Sequence, residues 1–230
     1  LVNREGRPYQ VFTPFWKACL ARGAPPPPLP APRDLPPPAR WPRSLDLREL
    51  GLEPAVDWAA GLRAAWTPGE RGASARLRRL LAEALPGYPT DRDRPDREGV
   101  SRLSPHLRWG EIGPRQIWHA TARAVHRAGQ PAWARGAEAF LRQLGWREFA
   151  HHLLWHFPDT PARPLRAPFE RFPWREDAAA RRAWRQGLTG YPFVDAGLRQ
   201  LWATGWLHNR ARMVVGSFLV KDLLLPWLDG

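Results

Sequence analysis

The chain of 230 residues has one cysteine, one methionine and only two lysines, Lys17 and Lys221. A single thiol, Cys19, rules out an intramolecular disulfide framework and fits a reducing compartment, where a lone cysteine ordinarily serves as a small buried hydrophobe. Long apolar runs are missing as well. The longest, Val214 to Val220, is broken by Gly216 and Ser217 and falls far short of the roughly 20 apolar residues of a spanning helix. Nothing near Leu1 has the pattern of a secretory signal. The Gly-x-Ser-x-Gly elbow, the dinucleotide-binding glycine pattern and the P-loop are absent, so no nucleophilic triad and no such phosphate loop is indicated. Apolar residues nowhere alternate with period two over a useful length, which argues against β-structure.

What the chain does have is arginine, tryptophan and proline. Thirty-five basic residues against 22 acidic ones give a net charge of +13, carried almost wholly by guanidinium groups that grip phosphate in bidentate fashion and stack on rings. That balance predicts attraction to a polyanion, most simply nucleic acid. Fourteen tryptophans exceed what core filling explains, because every buried indole N–H needs a partner. An apolar fraction of 43% supports a substantial core.

Along the chain, Thr13-Pro14 reads as a cap and first position of a helix over 15–21. Residues 24–42 hold ten prolines and read as an extended, semi-rigid polyproline linker. From Asp46 onward the periodicity is helical. Residues 69–85 place Ala73, Leu77, Leu80, Leu81 and Leu85 on one face, with Arg76, Arg78 and Arg79 read as a solvated face. Residues 88–99 read as a charged loop. Further helices are expected from Ser104-Pro105, from Gly113-Pro114 to about 128, and over 132–157, 177–186, 194–203 and 208–225. The expected class is all-α, a multi-helix domain over 46–230, without internal repeats.

Three clusters could carry chemistry. In Val100-Ser101-Arg102-Leu103-Ser104-Pro105, two hydroxyls and an arginine adjoin a helix start whose free N–H groups favour an anion; simple capping by Ser104 explains the same residues. In residues 140–149, Phe140, Gln143, Trp146 and Arg147 fall near one helical face, where a flat ring could stack and be hydrogen-bonded, although Phe140, Leu144 and Phe149 also have core spacing. In His208-Asn209-Arg210-Ala211-Arg212-Met213, Arg210 and Arg212 project to different sides, so one can face a phosphate and the other an internal ligand. His151, His152 and His156 lack a neighbouring cysteine or a metalloprotease glutamate, so no metal is expected.

Assembled, these motifs resemble the DNA photolyase and cryptochrome family, in particular its helical flavin-binding domain in a class I-like cyclobutane pyrimidine dimer photolyase. The resemblance rests on Tyr-Gln-Val-Phe-Thr-Pro-Phe (9–15), Ser-Arg-Leu-Ser-Pro-His-Leu (101–107), Trp-Arg-Glu-Phe (146–149), Thr-Gly-Tyr-Pro (189–192), Thr-Gly-Trp-Leu-His-Asn-Arg (204–210) and residues 217–227, in family order. It implies that Tyr88, Val100 to Ser104, Phe140, Gln143, Arg147 and Arg212 contact FAD. It also implies that Arg92, Trp146, Asn209, Arg210 and Met213 meet UV-damaged DNA and its flipped-out pyrimidine dimer, with Trp146 as a stacking wall. The reaction so implied passes one electron from light-excited, reduced FAD to the dimer, splits the ring and returns the electron. Trp174 and Trp227 match two members of the family's electron-carrying tryptophan chain.

Gln143 departs from the pattern: many dimer-repairing members carry glutamate there, and glutamine cannot act as an acid. His-Asn-Arg-x-Arg-Met resembles the dimer-repair pattern rather than that of (6-4) repair, and the cyclobutane assignment is kept over a cryptochrome-like photoreceptor, a (6-4) enzyme or a flavin-free helical nucleic-acid binder. By the resemblance, residues 1–45 close an N-terminal α/β domain and form the linker. The antenna chromophore belongs to a domain before Leu1. The Asp-Gly-Asp motif, a flavin-proximal asparagine and a third tryptophan lie beyond Gly230. These 230 residues alone are therefore expected to bind FAD weakly or not at all and to be inactive. A monomer without membrane contact, in a prokaryotic cytoplasm, is expected.

Overall fold

The computed structural model describes residues 1–230 and contains ten α-helices, no β-strand and one antiparallel bridge between Val2 and Pro8. The helices are α1 (Phe12–Leu20), α2 (Ala60–Ala65), α3 (Glu70–Arg79), α4 (Tyr88–Asp91), α5 (Ser104–Trp109), α6 (Pro114–Ala128), α7 (Pro131–His156), α8 (Ala178–Gln186), α9 (Pro192–Thr204) and α10 (Asn209–Ser217). Helices α5, α6, α7 and α9 carry proline in the first turn, where a missing N–H costs no hydrogen bond. Helices α6 and α9 stop at left-handed Gly129 and Gly205, a conformation that penalises any residue with a Cβ.

Apolar side chains gather in three clusters. The first joins Leu77, Leu80 and Leu85 to Tyr88 of α4, Leu103, Ile117 of α6, and Phe140 and Leu144 of α7. The second packs α8, α9 and α10 together through Trp184, Val194, Leu198, Val215, Phe218 and Leu225. A third docks α1 on α7 through Phe12, Phe15 and Phe149. Two glycines permit the close approaches. A Cβ on Gly136 of α7 would lie 1.8 Å from the Leu85 carbonyl oxygen, and one on Gly145 would lie 2.5 Å from the Trp16 ring. Buried indoles find partners as their chemistry demands. Trp184 Nε1–H donates to Val215 O at 3.1 Å, and Trp66 Nε1–H donates to Thr204 O at 2.7 Å, tying the chain before α3 to the end of α9.

Several elements differ from the sequence expectation. Helix α1 begins at Phe12 with Val11 as its extended N-cap, so Pro14 sits inside the first turn; burial of Phe12 and Phe15 against Phe149 outweighs the capping signal of Thr13. Residues 46–59 form only a short 3₁₀ turn, Leu47–Leu50, before α2. The helix expected over 69–85 loosens after Arg79 into a π turn, Leu80–Ala84, and Leu85 N–H donates to Leu80 O at 2.9 Å. The supposed loop at 88–99 starts with α4. Helix α10 likewise passes into a π segment, Phe218–Asp222, and ends; Leu224 is left-handed at φ 55°, and Trp227–Asp229 form a 3₁₀ turn instead of a continuing helix. Of the arginines of α3 expected on a solvated face, Arg78 is exposed, but Arg76 donates to Ala65 O and lies over the Trp66 ring, and Arg79 pairs with Glu98. Cys19 is half-buried beside Trp16 rather than sealed, and burial pushes its thiol pKa up. No helix is long and apolar enough to cross a membrane.

Candidate functional site

Helices α5 and α7 and the loop before α5 enclose a pocket of about 400 Å³. Ser101, Leu103, Ser104, Phe140, Gln143 and Arg147 line it, together with Leu107, Arg108, Ile117, Leu144 and His151. The α7 contribution follows from helical spacing: positions 140, 143, 144, 147 and 151 recur every three or four residues and so share a face. Six of the residues singled out in the sequence therefore meet here, and the pocket offers two hydroxyls, one amide and two guanidiniums over an apolar floor. Tyr88 stands behind the wall, its ring edge-on to Phe140 at 5.4 Å, and burial pushes its hydroxyl pKa up to about 12. Val100, half-buried, immediately precedes this lining.

Four expectations need correction. Ser104 does not cap α5. Leu103 occupies the N-cap without a side-chain bond, and Ser101 Oγ accepts from Leu103 N–H at 3.3 Å instead. Arg102 is held away from the pocket. It adopts a left-handed φ of 50°, donates to Glu98 at 2.5 Å and lies 4.3 Å over the Trp206 ring. Its buried Nε has no partner. Trp146 does not share the face of Gln143 and Arg147: it points toward α1 and stacks on Phe12 at 3.7 Å, nearly parallel, with the indole 47% exposed. The reason is non-local, since Phe12, a buried side chain of α1, is the ring that meets Trp146 on α7. Arg212 is exposed and outside the pocket lining.

A second group forms where α4 meets the start of α10. Asp93 Oδ1 accepts from Arg210 Nε–H at 2.8 Å and lies 3.4 Å from Arg92 Nε, so one carboxylate holds two guanidiniums side by side. Asn209 and Arg210 both approach the sulfur of exposed Met213, at 3.9 and 3.6 Å. His208, 2% exposed, caps α10 by accepting from Arg210 N–H at 3.1 Å. Burial, with Arg210 and Arg102 nearby, lowers its pKa, so the ring is neutral; the Asp93 charge opposes this without reversing it. Its buried Nε2 has no hydrogen-bond partner. Trp206 lies between the two groups, under Arg102 and edge-on to His208 at 6.0 Å. Asp93 and Trp206 are the organising residues that sequence reasoning missed. Trp206 lay inside a motif already singled out, whereas Asp93 was one acid among many in a charged stretch.

Trp174 is half-buried against Phe172 at 4.4 Å, and Trp227 is 36% exposed. Arg175 N–H donates to Leu224 O at 2.8 Å, which brings their two segments side by side, while the two indoles make no ring contact. His152 packs on Phe149 and pairs with Tyr9 O at 3.1 Å, its pKa lowered by burial and by the neighbouring His156.

Residues 140–230 match the family model described as the FAD-binding domain of DNA photolyase. The chain is 43% identical, over its whole length, to a deoxyribodipyrimidine photo-lyase of Agrobacterium fabrum, and covers 47% of that protein. Over 98% of its length it is 39% identical to Cryptochrome-2 of Arabidopsis thaliana, covering 38% of it. Its fold matches the crystal structure of a class III photolyase from Agrobacterium tumefaciens with a TM-score of 0.92, at 42% identity, over all of this chain and 48% of that one. That structure is class III, where the motifs alone suggested a class I-like member. The chain spans about half the length of the curated photolyases it matches, and it belongs to the DNA photolyase and cryptochrome family.

Proposed function

We propose that the protein carrying this chain repairs cyclobutane pyrimidine dimers in UV-damaged DNA, driven by light and dependent on FAD. The observation that supports this most is the α5–α7 pocket, which gathers six of the residues assigned to FAD by resemblance. The fit is partial. Hydroxyls and Arg147 suit a diphosphate and the Phe140 wall suits a flat ring, but about 400 Å³ lies at the small end of the roughly 300–1,000 Å³ of ligand pockets and takes only part of a dinucleotide.

Bound, reduced FAD supplies the light-excited electron donor. The residues of this chain do the rest. Ser101, Ser104 and Arg147 hold anionic oxygens, and Phe140, backed by Tyr88, keeps water from the ring. Gln143 now donates to Ala139 O at 3.1 Å. It must turn to meet a ligand, and it orients by hydrogen bonding without giving up a proton as an acid. Arg92 and Arg210, already side by side on Asp93, bind phosphates flanking the lesion. A dimer weakened in its stack is cheaper to flip out than an intact pair, and Trp146, with Phe12 behind one face, offers the other to it. Trp174 and Trp227 would offer redox-active indoles on two adjoining segments if FAD were bound, the role that the resemblance implies for them. Residues 1–45 act as the connection from a preceding α/β domain to the helical domain of 46–230, and a second, light-harvesting chromophore sits outside the residues described. Val100 completes the FAD contacts once the cavity is whole, and the protein acts as a monomer.

The test is blue-light illumination of the full-length, reduced protein with a thymine-dimer oligonucleotide. Light-dependent loss of the dimer that requires FAD supports the proposal. Photoreducible bound FAD without dimer loss moves the protein to the photoreceptor reading, which Gln143 in place of glutamate favours.

A further inference from the structure

Helix α8 has two unlike faces. Trp184 turns into the core, whereas Arg182, Arg185 and Gln186 recur at helical spacing on the opposite, exposed side. Across from them stands Trp202 of α9, 75% exposed, its Nε1–H donated to Arg185 O at 2.7 Å. That bond fixes the indole while leaving most of its ring to solvent. The groove between them, about 390 Å³, is lined by Ala178, Arg181, Arg182, Arg185, Gln186 and Trp202. The one carboxylate close by, Asp229, is taken by Arg181 at 2.7 Å, and Arg185 reaches only its main-chain oxygen. Arg182 and Arg185 thus have no acidic partner.

We propose that this groove binds a DNA strand, phosphates on Arg182 and Arg185 and an unpaired base stacked on Trp202, without regard to damage. Charge complementarity selects the partner: two guanidiniums without a carboxylate partner, beside a fixed, exposed indole, match the alternation of phosphate and flat ring in a nucleic-acid strand. An exposed indole ordinarily turns to shed apolar area; here a hydrogen bond to α8 holds it facing the groove. The residues lie on α8 and α9, separate from the Arg92, Asn209, Arg210 and Met213 group on α4 and α10. The binding needs neither flavin nor light, so its failure and the failure of the repair reading are separable.

The experiment measures, in the dark and over a salt series, the affinity of this chain for an undamaged fluorescent oligothymidylate. Trp202→Ala is expected to weaken binding about tenfold at any one salt concentration with the salt slope unchanged, and Trp202→Phe to keep most of the affinity. Replacing both arginines, Arg182→Gln with Arg185→Gln, is expected to reduce the log–log salt slope by about 1.4, near 0.7 per lost phosphate contact on a single strand. Unchanged affinity in Trp202→Ala, or an unchanged slope in the double variant, overturns the proposal. All three side chains are exposed, so neither result can be blamed on misfolding.

Discussion

Alanine at Gly136 and at Gly216 should move stability in opposite directions. Both glycines lie inside helices, and both changes gain about 1 kcal/mol of helix propensity. Around Gly216 of α10 an added Cβ meets nothing within 4 Å, so the gain survives. At Gly136 the same atom lies 1.8 Å from Leu85 O and 2.7 Å from its carbonyl carbon. To reach the roughly 3.3 Å of a close C···O contact, α7 must retreat by about 1.5 Å from the segment that follows the π turn. That retreat loosens the packing of Ala137 and Phe140 in the first cluster, and overpacking of this kind costs about 1–3 kcal/mol. Backbone rather than a flexible side chain is the obstacle, so the upper part of the range applies and a net loss of about 1–2 kcal/mol remains. With a urea m-value of about 2 kcal/mol/M, the midpoint should fall by about 0.5–1 M for Gly136→Ala and rise by up to about 0.5 M for Gly216→Ala. A rise in both refutes the reasoning, because it means that α7 is not seated on Leu85. Phe140 is one turn from Gly136, so the first variant should also weaken flavin retention in the full-length protein.

Burial lowers the pKa of His208 and His152 below the ordinary value. The unfolded chain then takes up protons that the folded one refuses, so stability is full above about pH 6.5 and falls as the pH drops through and below it; urea midpoints from pH 8 to 5 check this, and His208→Gln should flatten the decline. Trp184→Phe leaves Val215 O without its indole donor and should cost about 1–3 kcal/mol by denaturant unfolding. Asp177 caps α8 by accepting from Ala180 N–H at 2.8 Å, so Asp177→Ala should cost about 1 kcal/mol and speed hydrogen exchange at Ala180.

How far the sequence reached depended on whether the deciding contact was local. Gly113-Pro114 marked the start of α6, helical periodicity placed α7 and α9 to within a residue or two, and the spacing of Phe140, Gln143, Leu144 and Arg147 gave one pocket wall. The π turns after α3 and α10 were not legible, because an i→i−5 bond leaves no residue signature and answers to packing around Leu80 and Phe218. Trp146 was misplaced for a similar reason: its partner, Phe12, belongs to another helix far away in the chain. Arg102 looked like a phosphate ligand in its motif, but Trp206, brought close only by folding, and Glu98, four residues earlier in a stretch read only as a charged loop, claim its guanidinium.

The central claim is that the α5–α7 pocket holds FAD, and flavin absorbance per protein chain, measured on the purified full-length protein, tests it most directly. Arg147→Ala and Phe140→Leu should each lower the bound flavin severalfold, whereas Arg127→Ala, on the exposed end of α6, should leave it unchanged. Full flavin occupancy in both pocket variants, with the fold intact by circular dichroism, would contradict the account.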